Sequence, residues 1–261
     1  MSAQEPILLR QDEGAVATLT LNRPAQANAL SKTLIGELQA ALDAIASEPS
    51  VRVVVIAGAG KAFCAGHDLK EMRATPDKRY YVELFAQCSR MMMAIARIPQ
   101  PVIARVHGIA TAAGCQLVAA CDLAVASEDA RFATSGINIG LFCSTPGVAV
   151  SRNLDRKQAF EMLVTGEFID AWAALARGLV NRVVPAAELD AEVAKLAGVI
   201  LSKSPVAVAS GKRMFYRQLE MGGEAAYRFA CEVMASDMMA EDAAEGIDAF
   251  IQKRPPRWRG C

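Results

Sequence analysis

Two stretches of this chain carry the residue types from which an anion site can be built. The first is Gly58-Ala59-Gly60-Lys61-Ala62-Phe63-Cys64-Ala65-Gly66-His67-Asp68-Leu69-Lys70. Its glycines permit tight turns and close backbone approach, so its N–H groups can face an oxyanion or a phosphate. The second runs from Ile103 to Leu123, where an apolar strand pattern enters the small-residue segment His107 to Gly114 and then a helical pattern. A helix starting there leaves its first N–H groups unpaired and its positive dipole end open to an anion. The side chains add little that titrates. His67 and His107 are the only histidines, and the seven cysteines include no CxxC pair. No zinc site is expected from that set, and the thiols read as small buried side chains in a reducing compartment.

The rest of the composition bounds what such a site can serve. A chain of 261 residues with 53% hydrophobic content has enough material for a continuous core. With 28 Lys and Arg against 28 Asp and Glu, no global field exists to recruit nucleic acid or an anionic membrane. A polyanionic ligand must therefore be gripped by local lysines. The longest uncharged apolar stretch, Val106 to Cys121, falls short of a bilayer span. Met1 to Pro6 shows no basic segment followed by an apolar run. A soluble cytoplasmic protein is expected, or a mitochondrial-matrix one for a mature eukaryotic chain.

Elements that position the two stretches follow from periodicity. Ile7 to Arg10 and Ala15 to Leu21 flank Asp12-Glu13-Gly14 as a hairpin, ended by Asn22-Arg23-Pro24. Ser31 is placed to cap a helix whose Leu34, Leu38, Ala41, Leu42 and Ile45 share a face. Arg52 to Gly58 reads as a strand covered on both faces. A helix from Arg79 to Ile98 sets Val82, Phe85, Met92, Met93 and Ala96 along one side, before Pro99. Strand 102–106, a turn 107–114, helix 115–120 and strand 122–126 repeat the rhythm. Past Pro185 only helical patterns remain: 188–201, 206–219, 224–239 and 241–252. The expected division is 1–195, a core carrying the site, and 196–261, a helical oligomerisation module.

Taken together these segments resemble the crotonase, or enoyl-CoA hydratase/isomerase, superfamily. The likeness extends from Asn22-Arg23-Pro24 and Asn28-Ala29-Leu30, through Lys61-Ala62-Phe63 and Gly66-His67-Asp68-Leu69, to the segment around Ala113. It continues in Thr165-Gly166, Ala171 to Ala176, Gly178-Leu179-Val180, Val183-Val184-Pro185 and the terminal Phe250 to Arg254. Thr111 to Gln116 and Phe132 to Gly147 look especially like one subgroup. The resemblance implies an α/β fold, a crotonase-type spiral core of repeated β-β-α units with a helical C-terminal module, assembled as a homotrimer or a dimer of trimers. It also implies an acyl-CoA thioester ligand and no covalently bound cofactor, with coenzyme A present as part of the ligand. The thioester oxygen would sit between the backbone N–H groups of His67 and Ala113, each worth on the order of 3 kcal/mol to a developing enolate. Lys61, Lys70 and Lys253 would meet CoA phosphates, and Phe250 would lie beside Lys253 in a segment reaching a neighbouring subunit's ligand. Asn28, Ala29 and Leu30 would lie against the adenine. The imidazoles of His67 and His107 are expected to be structural.

One departure governs the chemistry. Hydratases of the superfamily use two glutamates, one to activate water and one to deliver a proton. The matching positions hold Gln116 and Gly136. A carboxamide orients water but exchanges no proton near neutral pH, and glycine supplies no side chain. Asp122, Glu128 and Asp129 read as a strand opening and a solvated turn, not replacements. Three functions follow: an acyl-CoA enzyme using enolate stabilisation alone, as a decarboxylation can; a non-catalytic acyl-CoA binder or modulator of fatty-acid metabolism; and an assembly protein, disfavoured by the retained Lys61, Lys70, Phe250 and Lys253.

Overall fold

The computed structural model describes residues 5–261, so most of the leading segment read above for targeting lies outside the described residues. β1 (Leu8–Glu13) and β2 (Val16–Leu21) form the expected antiparallel hairpin about Gly14, whose φ of +58° favours glycine. α1 (Lys32–Ala46) begins where Ser31 accepts a hydrogen bond from the Leu34 N–H. β3 (Val53–Gly58) is buried at every position. β4 (Ala62–Cys64), α2 (Leu69–Ala74) and α3 (Lys78–Arg97) complete that turn of the chain. The next turn is β5 (Val102–Val106), β6 (Ile109–Thr111) and α4 (Ala113–Ala120). It is followed by β7 (Leu123–Ser127), β8 (Arg131–Ala133), a 3-10 turn at Ser135–Ile139, and α5 (Ser144–Val150). α6 (Arg156–Thr165), β9 (Ile169–Asp170), α7 (Ala171–Ala176) and β10 (Arg182–Val184) close the core. Four helices end the chain: α8 (Leu189–Leu201), α9 (Pro205–Gln218), α10 (Gly223–Asp237) and α11 (Glu241–Ile251).

The long strands make one sheet in the order β1-β2-β3-β5-β7-β10, parallel beyond the hairpin. A second sheet, β4-β6-β8-β9, takes one short strand from each successive turn, which is what makes the β-β-α unit repeat. Periodicity missed this sheet, and β6 fell inside the segment read as a turn. Strands of two or three residues are too short to display alternation.

The face expected on α3 needs correction. Leu84, Cys88, Met91, Met92, Ala94 and Ile95 are its buried residues, whereas Val82 and Met93 are exposed. α3 packs between α1 and α4, so the buried stripe is centred about one residue from the predicted one. α8 seats Leu189, Val193, Leu196 and Ala197 against Val53, Val55, Ile103 and Val125, and residues 195 and 196 both lie within this helix. α9 is tied to the core by a buried lysine. Lys212 Nζ donates to the carbonyls of Ile95 (2.7 Å) and Gln100 (2.8 Å) and to Asp122 Oδ2 (2.6 Å). The Tyr216 hydroxyl donates to Asp122 Oδ1 at 2.7 Å.

Candidate functional site

The first loop is held by a side chain that is fully buried. Asn28 accepts the Arg23 N–H at 2.9 Å and donates to the carbonyls of Ala59 (2.8 Å) and Ala62 (2.7 Å), locking the 22–30 segment onto the β3–β4 turn. Leu30 then pairs with the strand-like backbone at His67: its N–H donates to Gly66 O (2.7 Å), and its carbonyl accepts from Asp68 N (3.1 Å). In extended backbone alternate residues direct their N–H groups to opposite sides. The bonds to residue 30 use Gly66 and Asp68, so the His67 N–H faces away from Leu30. It has no acceptor among the described residues.

The second loop turns from β6 into α4 at Ala112, whose φ of 50° and ψ of −118° are costly for a residue with a Cβ. Its N–H is tied to Ala133 O at 3.0 Å, and its carbonyl starts the helix by accepting from Gln116 N. The Ala113 N–H is left without an acceptor among the described residues, at the positive end of α4. The two loops meet backbone to backbone. A Cβ on Gly66, which has φ of +94°, would lie 3.2 Å from Ala113 N and 2.9 Å from Ala112 Cβ. A Cβ on Gly114 would lie 2.0 Å from the Cys64 carbonyl oxygen, so only glycine permits this approach. Two free N–H donors, from residues 67 and 113, consequently stand on adjoining loops.

The side chains around them are largely uncharged. His67 is half-buried as a residue, but its Nε2 is shut off from solvent without a partner, and the ring stands edge-on to Phe85 at 5.3 Å. Burial lowers its pKa to about 4, so the imidazole is neutral at physiological pH. His107 Nε2 lies 2.9 Å from Gly60 O, bracing the first loop. Gln116 is 4% exposed and its Oε1 has no donor among the described residues. At Gly136, in the 3-10 turn, an added Cβ would be 2.6 Å from Leu141 O and 2.8 Å from Cys143 Sγ. The Leu141 N–H donates back to Gly136 O at 3.0 Å, closing that loop on the glycine. Burial pushes the Cys143 thiol up, and the Cys64 and Cys115 thiols to about 12, so none is a ready thiolate.

An enoyl-CoA hydratase/isomerase family model matches residues 11–261. The chain belongs to that family. Among curated relatives, enoyl-CoA hydratase domain-containing protein 3 of Xenopus laevis is 47% identical, covering 97% of this chain and 86% of the relative. The Homo sapiens protein of the same name is 46% identical, with 98% and 84% covered. This is the subgroup to which Thr111–Gln116 and Phe132–Gly147 pointed. A crystal structure titled enoyl-CoA hydratase from Mycobacterium smegmatis matches at TM-score 0.96 and 60% identity over 97% of this chain and 99% of that one. The human domain-containing protein 3 structure matches at TM-score 0.94 and 44% identity, covering 97% and 100%.

Against this family pattern, the remaining predicted residues fall into two groups. Asn28, Ala29 and Leu30 are buried, and the Asn28 side chain is engaged by backbone, so this stretch offers its surroundings shape and not a free amide. Lys61 and Lys70 are exposed at either end of the first loop, without an ion-pair partner among the described residues. Phe250 is 85% exposed at the end of α11, and Lys253 follows it with φ of +55°. α11 packs on α9. Sequence reasoning missed one pair: Arg23 Nη2 donates to Asp68 Oδ2 at 2.8 Å, while Asp68 caps α2 by accepting from Lys70 and Glu71 N–H. Burial opposes ionisation of Asp68, but Arg23 and the helix cap outweigh it and hold the carboxyl below its ordinary range. Both residues stood in quoted motifs; their separation by 45 positions hid their contact.

Proposed function

We propose that this protein binds an acyl-CoA thioester and stabilises its enolate between the backbone N–H groups of His67 and Ala113, without two-carboxylate hydration. The observation that carries the reading is the juxtaposition at Gly66 of two unpaired donors, one of them at a helix N-terminus. Preorganised dipoles of this kind act on charge that develops at a carbonyl oxygen and need no ionisable side chain. Lys61, Lys70 and Lys253 supply the charge for CoA phosphates in a chain with no net charge. Gln116 orients a polar group or water but transfers no proton, so the chemistry it suits is one in which bond cleavage itself delivers the enolate, as loss of carbon dioxide does.

The backbone packed around Gly136 favours a second reading, an acyl-CoA binder or modulatory protein of fatty-acid metabolism with no turnover. The exposed Met234, Met239, Phe250 and Ile251 of the helical tail support self-association as a trimer or hexamer through residues 196–261. The vertebrate relatives are named mitochondrial, which supports a matrix location for a mature eukaryotic chain and gives the cytoplasmic expectation no support. The test is calorimetric titration with a panel of acyl-CoAs, followed by mass spectrometry of the same incubations. Binding with a product that requires an enolate supports the enzyme, binding without product supports the modulator, and absence of binding to every thioester refutes both.

A further inference from the structure

A cavity of about 1020 Å³ opens between α3, α4, α5 and α9, and Gln116 lines it. Its walls are apolar, formed in large part by Met92, Ala96, Ala119, Val148, Phe215 and Leu219. Its other lining groups include Arg97, Arg152, Arg213 and Arg217, all exposed, with Glu220 as the counter-charge. Asp122 also lines it, but that carboxylate is taken up by Lys212 and Tyr216. Of the four guanidinium groups only Arg152 has a carboxylate partner among the described residues, Glu220 at 3.7 Å. Arg217 lies over the Phe229 ring at 4.6 Å, and Arg97 reaches the Met93 sulfur at 3.7 Å.

Resting on the acyl-CoA reading above, we propose that the acyl group accepted here ends in a negative charge: the ligand is the CoA thioester of a dicarboxylic acid. Gln116 follows Ala113 by three residues, a rise of about 4.5 Å along α4. An acyl chain leaving a thioester at Ala113 passes Gln116 and continues along Ala119 and Ala120 through the apolar cavity. Chain methylenes gain from those walls. A terminal methyl would finish among guanidinium groups and strip water from them at a cost, whereas a terminal carboxylate accepts their paired N–H groups. Arg213 and Arg217, one turn apart on α9, both line the cavity, and neither has a carboxylate partner among the described residues.

The experiment compares dodecanoyl-CoA with dodecanedioyl-CoA by calorimetric titration of the full chain at low and moderate salt. The dicarboxylic thioester is expected to bind at least about tenfold more tightly, a difference of about 1.4 kcal/mol, and to lose that advantage as salt rises. Arg213→Ala with Arg217→Ala brings its affinity down towards that of the monocarboxylic thioester, and Arg213→Glu with Arg217→Glu reverses the order. Equal affinity of the two thioesters for the unmodified protein overturns the proposal while leaving the acyl-CoA reading intact; failure of both to bind removes both. A preference that survives the alanine pair also overturns it, as does an alanine pair that alters only the association state, which would assign the cavity to a second copy of the chain.

Discussion

Replacing Gln116 and Gly136 by glutamate, at the positions to which the resemblance assigns the carboxylate pair of the family's hydratases, is expected to give no efficient hydration. A Cβ at 136 would stand 2.6 Å from Leu141 O and 2.8 Å from Cys143 Sγ. The thiol can rotate; the carbonyl cannot, because residue 141 is bonded back to residue 136. Overpacking of this kind costs about 1–3 kcal/mol, which lowers Tm by roughly 2–12 °C for a chain of this size. At 116 the new carboxyl would replace a side chain that is 4% exposed and whose oxygen has no donor among the described residues, so burial would disfavour the ionised form that a general base needs. A correctly placed proton-transfer group is worth about 10²–10⁴ in rate. The assay is hydration of crotonyl-CoA, followed by loss of the enoyl chromophore, with thermal unfolding in parallel. The unmodified protein is expected to be far slower than two-glutamate relatives, and the double variant to gain less than about tenfold while melting earlier; a gain of about 100-fold or more with an unchanged Tm would refute the steric argument.

Lys61→Ala with Lys253→Ala should weaken acyl-CoA binding and flatten its salt dependence; unchanged affinity at low ionic strength would mean that other groups hold the phosphates. Lys212→Met removes the cation that Asp122 faces and strands two buried carbonyls, at an expected cost of about 3–5 kcal/mol in denaturant unfolding. A loss below about 1 kcal/mol would mean that water replaces the ammonium in the interior. His67 falls from its ordinary 6.5 to about 4 because burial disfavours the charged ring. The unfolded chain therefore binds a proton first as pH drops, so His67 costs nothing above pH 6.5 and destabilises progressively between 6.5 and 4, by on the order of 3 kcal/mol in full. His67→Gln should flatten unfolding free energy over that window, and an unaltered pH profile would show that the ring is hydrated.

Local signals were sufficient wherever one segment decides its own conformation. The Ser31 cap, the uninterrupted apolar run of β3, the hairpin at Gly14 and the four terminal helices were legible because capping, two-face burial and helical spacing are written within a few residues. The same local reading expected free N–H groups where the small-residue segment enters a helix, whereas Ala113 as the donor and 116 and 136 as the carboxylate positions came from the family resemblance. It failed at β4, β6, β8 and β9, which are too short to show a period, and on α3, where apolar residues on several sides left the buried stripe to be chosen by α1 and α4.

Sequence alone determined that positions 116 and 136 carry no carboxylate, whatever the packing; that these are the positions of the family's catalytic pair is what the resemblance implies. Tertiary structure decided what stands beside those positions. It brought Gly66 against Ala113, filled the space at Gly136 with Leu141 and Cys143, joined Arg23 to Asp68 and Lys212 to Asp122, and set four arginines around an apolar cavity. The physical reason is that residue type and spacing report the burial and bonding of one element at a time. Contacts between elements tens of residues apart depend on how closely their backbones approach, and here that approach is set by glycines whose partners lie in another turn of the chain.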